Sequence, residues 1–154
     1  MKFKTLLITG LLFVIASTMS AQKYKTAIGV RTGFFNGFTI KNFVSENNAF
    51  EGIVNFRWGG TAVTGLYEWQ SQVPNSPGFD YFVGAGAHIG LFNNYKWDKD
   101  ASVILGVDLM LGFEYTFPTA PFTLALDYKP AFNFIGDDHI WADGIGLSFR
   151  FNIR

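Results

Sequence analysis

The chain has 154 residues, with 12 basic and 12 acidic side chains and no cysteine. Balanced charge excludes the basic field that nucleic-acid binding needs, and the absence of thiols excludes disulfides and a zinc–thiolate cluster. Aromatic residues make up 18% of the chain, Phe foremost, and the length is that of one domain.

In chain order, the first element is a leader. Met1-Lys2-Phe3-Lys4 is basic, an apolar run from Leu6 to Ala16 follows, and Ser17-Thr18-Met19-Ser20-Ala21 offers cleavage after Ser20 or Ala21. That order is a secretory signal, and the apolar run is shorter than the roughly 20 residues that span a bilayer. No cysteine follows, so a lipoprotein anchor is excluded. Residues 1–21 are therefore expected to be a signal peptide and 22–154 the mature domain.

Eight strands are expected after the leader, because apolar and polar residues alternate with period two. The first, over 24–34, sets Ile28, Val30 and Phe34 against Gly29, Arg31 and Gly33, and Asn36-Gly37 reads as a tight hairpin turn. The second, over 38–44, alternates Phe38 and Ile40 with Thr39 and Lys41; Asn42-Phe43 then reverses parity, which a bulge would explain. Ser45-Glu46-Asn47-Asn48 is a turn. The third, over 49–58, puts Phe50, Val54, Phe56 and Trp58 opposite Glu51, Asn55 and Arg57, and Gly59-Gly60 breaks it. The fourth, over 62–70, sets Val63, Tyr67 and Trp69 against Thr64 and Glu68. A loop with two prolines covers 72–78.

The fifth strand, over 79–92, has Tyr81, Val83, Ala85, Ala87, Ile89 and Leu91 on one face and Phe82, Gly84, Gly86, His88 and Gly90 on the other. A polar loop with Trp97 covers 93–102. The sixth, over 103–117, is the clearest: every odd position is apolar, while the even face carries Gly106, Asp108, Gly112 and Glu114 beside Ile104 and Met110. Pro118-Thr119-Ala120-Pro121 ends it. The seventh, over 122–132, sets Phe122, Leu124, Leu126, Tyr128 and Phe132 against Thr123, Asp127, Lys129 and Asn133. A second sizeable loop covers 135–142. The eighth, over 144–153, sets Ile145, Leu147, Phe149, Phe151 and Ile153 against Gly146, Ser148, Arg150 and Asn152.

An even count of eight antiparallel strands is the smallest bacterial membrane barrel. The competing arrangement is a soluble lipocalin-like barrel with the apolar face inside. Three features favour the membrane form: glycines crowd the polar face, aromatics (Trp58, Trp69, Tyr115, Phe117, Phe122, Tyr128) flank the apolar one, and the polar face carries both charge signs in similar number. The expected lumen network is Arg31, Glu51, Arg57, Glu68, His88, Asp108, Glu114, Asp127, Lys129 and Arg150. An eight-stranded interior is just wide enough for side chains to fill, so the expectation is a plug of ion pairs with long side chains in the space left by Gly84, Gly86, Gly106, Gly112 and Gly146, not a pore.

The segments Ala49-Phe50-Glu51-Gly52-Ile53, Gly84-Ala85-Gly86-Ala87-His88-Ile89-Gly90, Gly112-Phe113-Glu114-Tyr115-Thr116-Phe117 and Leu126-Asp127-Tyr128-Lys129-Pro130-Ala131-Phe132-Asn133 resemble the small uncharacterised outer-membrane barrels of Bacteroidota. The resemblance covers nearly the whole mature chain and implies an eight-stranded barrel, with no biochemical role attached. The end, Leu147-Ser148-Phe149-Arg150-Phe151-Asn152-Ile153-Arg154, resembles the last-strand signal read by the outer-membrane assembly machinery, although it closes on Arg where an aromatic is usual.

Few residues point to chemistry. His88 reads as a proton-responsive or metal-binding group, or as a hydrogen-bonded member of the lumen network. His139 after Asp137-Asp138 reads as a divalent-cation site or a solvated loop. A lipid A deacylase or acyltransferase would need Ser102 or Ser148 beside His88 or His139. Pro130 is expected near the outer rim or at a bulge, where with Trp141 it shapes a surface patch or simply ends the strand. The sequence thus leads to an all-β, eight-stranded antiparallel transmembrane barrel in the outer membrane, monomeric, with no cofactor, metal or catalytic residue. Outer-membrane lipids and the assembly machinery are its expected partners, and the loops 93–102 and 135–142 its exposed contacts.

Overall fold

The structure, a computed structural model, describes residues 24–57, 59–93, 101–135 and 140–153. Eight strands close into one antiparallel barrel in sequence order: β1 (Thr26–Gly33), β2 (Asn36–Phe43), β3 (Asn48–Arg57), β4 (Gly60–Gln72), β5 (Phe79–Asn93), β6 (Ala101–Thr116), β7 (Phe122–Ile135) and β8 (Ile140–Ile153). Closure comes from β1 on β8, with Thr26 opposite Ile153 and Gly33 opposite Gly146. No sheet edge then remains along the paired length. The lower rim, where the described chain enters at Tyr24, carries the connections 44–47, 73–78 and 117–121. The upper rim carries the tip 34–35 and the residues around Gly59.

Parity holds except at two register slips, near Phe134 on β7 and near Gly144 on β8. Ile28, Val30, Ile40, Val63, Ile89, Leu105, Leu109, Leu111, Leu126 and Leu147 point outward and are exposed. Arg31, Lys41, Glu51, Glu68, Asp108, Glu114, Asp127, Lys129 and Arg150 point inward and are buried. The barrel is thus inverted relative to a lipocalin, in which the apolar face lines the interior. A lower aromatic belt runs through Phe50, Tyr67 and Trp69, whose successive rings are 5.0 Å apart, and on through stacked Phe79–Phe113 and Phe122–Phe149. At the upper rim, Phe34, Phe38, Phe56, Phe132 and Phe134 are exposed. Trp69, Tyr115, Phe117 and Phe122 lie in the lower belt as expected; Tyr128 sits at mid-height on β7, and Trp58 lies outside the described residues.

Several local expectations change. Asn36 and Gly37 begin β2; the hairpin tip is Phe34–Phe35, with Phe34 outside and Phe35 turned in over the lumen. No bulge interrupts β2, because Phe43 keeps the inward parity and packs edge-on against Tyr24 at 5.1 Å. Strand β8 starts at Ile140, four residues before the expected start, so the connection after β7 shrinks to 136–139. Pro130 does lie at an irregularity. Register slips between Tyr128 and Pro130, leaving two β8 residues opposite one on β7, with Gly144 at φ 67°. Glycine adopts that left-handed conformation without a Cβ clash, and the missing N–H of Pro130 falls where the ladder is already broken.

Candidate functional site

The site is the lumen, and its side chains form three layers. The lowest centres on Glu114, on β6. Its Oε1 accepts from Tyr24 Oη at 2.5 Å and Gln70 Nε2 at 3.0 Å; its Oε2 accepts from Arg150 Nη1 at 3.0 Å and Lys41 Nζ at 3.1 Å. Arg150 also donates to Glu51 through Nη2, and Glu51 accepts from Thr39 as well. Lys41 Nζ lies 2.7 Å from Glu68 Oε2 and donates to Gln70 Oε1 at 2.7 Å, while Gln70 Nε2 reaches Asp80 Oδ2 at 2.8 Å. Buried charges persist only when paired and hydrogen-bonded, and Glu114 shows the arrangement: four donors on one carboxylate.

The middle layer is apolar on β3 to β7. Ile53, Leu66, Phe82, Met110 and Ala125 form one buried cluster. Each sits on the inward face between a lower and an upper neighbour: Ile53 between Glu51 and Asn55, Leu66 between Glu68 and Thr64, Ala125 between Thr123 and Asp127. The expected plug of ion pairs is therefore interrupted by an apolar cluster on β3 to β7, with Thr39 on β2 and Ser148 on β8 beside Ile53 and Ala125. Lys41 Nζ sits 4.6 Å from the Phe82 ring centre, where cation–π attraction joins the lower layer to the middle one.

The upper layer holds two groups. Arg31 donates from Nη2 to Asp127 Oδ1 at 2.5 Å and from Nε to Oδ2 at 3.3 Å. Asp108 accepts from Lys129 Nζ at 2.8 Å and faces His88 Nδ1 at 2.7 Å, while His88 Nε2 lies 2.8 Å from Asn133 Oδ1. Both ring nitrogens are thus engaged. A register slip beyond Asn133 sends Phe134 and Ile135 both outward.

Glycines make this packing sterically feasible. A Cβ on Gly146 would lie 2.3 Å from Arg31 Nη2, and one on Gly106 would lie 2.6 Å from His88 Cε1. Gly84 likewise borders Glu68, but Gly112 makes room for Phe82 and Gly86 for the backbone of Gly65, so those two do not serve a charged group.

Nine of the ten residues expected in the lumen network are buried on the inward face, and each has a charged or hydrogen-bonding partner there. The side chain of Arg57 lies outside the described residues. Tyr24, Gln70 and Asp80 join the network without having been singled out; Asp80 was accessible by extending the inward parity of β5 down from Phe82. His139, Asp137, Asp138 and Trp97, and the side chains of Ser102 and Trp141, lie outside the described residues. Ser148 is buried on β8, and its Oγ has no hydrogen-bond partner, His88 included. Among the described residues, no group of three or more His, Asp or Glu is placed to hold a metal ion. The chain matches no family model and no curated protein with which it was compared. The barrel the resemblance implies is present; no match ties it to one lineage or family.

Proposed function

We propose that this chain is an integral outer-membrane barrel with a structural or surface-interaction role, a closed lumen and no catalysis. One observation carries the reading: a continuous outward band of exposed Val, Ile and Leu lies between an aromatic belt at each rim, around a charged interior. Water penalises such a band, whereas hydrocarbon accommodates it and interfaces favour the aromatic rings. The runs of 13–16 residues in β4 to β8 exceed the roughly 9–11 that a tilted strand needs to cross.

The non-catalytic reading rests on His88. With Nδ1 on the Asp108 carboxylate, Nε2 is the nitrogen that would act as general base, and it is already taken by Asn133 Oδ1 at 2.8 Å. The upper rim, where β5 and β7 end at Asn93 and Ile135 and β6 and β8 begin at Ala101 and Ile140, is then the side that meets the exterior.

Cell fractionation with surface protease digestion tests location and topology together. The expected result is recovery with the outer membrane and cleavage confined to the upper connections; a soluble periplasmic protein would overturn the membrane reading. Lipid A analysed by mass spectrometry should be unchanged by overexpression, and a deacylated or newly acylated species would overturn the non-catalytic one.

A further inference from the structure

A cavity of about 30 Å³ lies in the upper half of the lumen. Its walls change character with depth. Ala62 lies nearer the rim than Thr64 on β4, and Ala131 nearer than Lys129 on β7, so the collar is apolar except for Asn55, which stands level with Ala62, and the base is polar. Asn55 lines the cavity, is 5% exposed, and its Oδ1 has no hydrogen-bond partner. A buried acceptor without a donor is costly, and here the orphan borders an empty space.

Size, charge and chemistry each restrict what fits there. The volume holds about one water or one hydroxyl group. A cation would meet the Lys129 ammonium and an anion the Asp108 carboxylate, which pair with each other at 2.8 Å. What Asn55 Oδ1 lacks is a donor. We propose that the cavity binds one neutral hydroxyl group that donates to Asn55 Oδ1, supplied by an ordered water or by the end of a small alcohol entering from the upper rim.

NMR of the chain folded in micelles, titrated with ethanol as the probe, tests this. A long-lived water cross-peak to the Ala62 and Ala131 methyl signals identifies water as the occupant. A saturable shift of the Ala62 and Ala131 methyl signals on adding ethanol identifies an alcohol as able to supply the group. Either signal supports the site, and either should vanish in folded Asn55→Leu. Neither signal in the wild-type chain, or a signal unchanged in folded Asn55→Leu, would overturn it. Because the wild-type result decides on its own, misfolding of the variant does not rescue the proposal.

Discussion

Arg31 on β1 grips Asp127 on β7 through two nitrogens, across 96 positions of sequence, with its guanidinium lying against Gly146. Removing Asp127 takes a bidentate carboxylate from a buried guanidinium. Asp127→Ala should therefore cost about 3–5 kcal/mol, whereas the apolar double replacement Arg31→Met with Asp127→Leu should recover most of that loss. Urea unfolding in detergent micelles measures both; equal stability of single and double variants would contradict the pairing.

Gly146 is constrained by the same contact. Its Cβ position is 2.3–2.6 Å from the Arg31 guanidinium, so Gly146→Val forces that side chain to move. Overpacking of this kind costs roughly 1–3 kcal/mol. The drop should shrink in an Arg31→Met background, and a drop of the same size there would show that the clash lies elsewhere.

On the outside, Leu109 is 49% exposed at mid-height on β6. Facing a bilayer midplane, Leu109→Arg should cost roughly 2–4 kcal/mol, and Ile135→Arg, at the upper end of β7, only about 0–1 kcal/mol. Heat-dependent gel mobility and urea unfolding in lipid report the difference. Equal costs at the two depths would argue against a bilayer around the wall.

The apolar layer predicts electrical silence. Purified protein in planar bilayers should show no steady conductance, because no hydrated ion passes Ile53, Leu66, Phe82 and Met110 without losing its water. Phe82→Ala should cost about 3–5 kcal/mol, and with Met110→Ala should be the first combination to leak. Open channels in the wild-type chain would refute the sealed lumen.

Much of this arrangement was readable from the alternation alone. On β6, one apolar residue at every odd position fixes which side faces out, and the same parity carries Arg31, Glu51, Asp127 and Arg150 inward. What alternation does not contain is the angular relation between strands. Lys41 meets Glu114, 73 positions away, only because tilt and stagger bring β2 and β6 to one height. Phe43 misled because an aromatic at an inward position looks like a parity error until Tyr24 is there to receive it. Ile53, Leu66 and Met110 went unremarked as a group for a related reason: one apolar residue per strand on a polar face is weak evidence until several stand level. The upper part of β8 was hidden by the slip at Gly144, which breaks the period that would have revealed it.

The apolar layer has a thermodynamic consequence as well. Below it, Arg150 pairs with Glu114; above it, Lys129 pairs with Asp108. Substitutions made within one pair should couple by about 0.5–3 kcal/mol, while one from each pair should sum to within about 0.3–0.5 kcal/mol. The barrel would then be a single hydrogen-bonded cylinder enclosing two independently tunable modules, either of which can be rewritten while the other keeps its energetics.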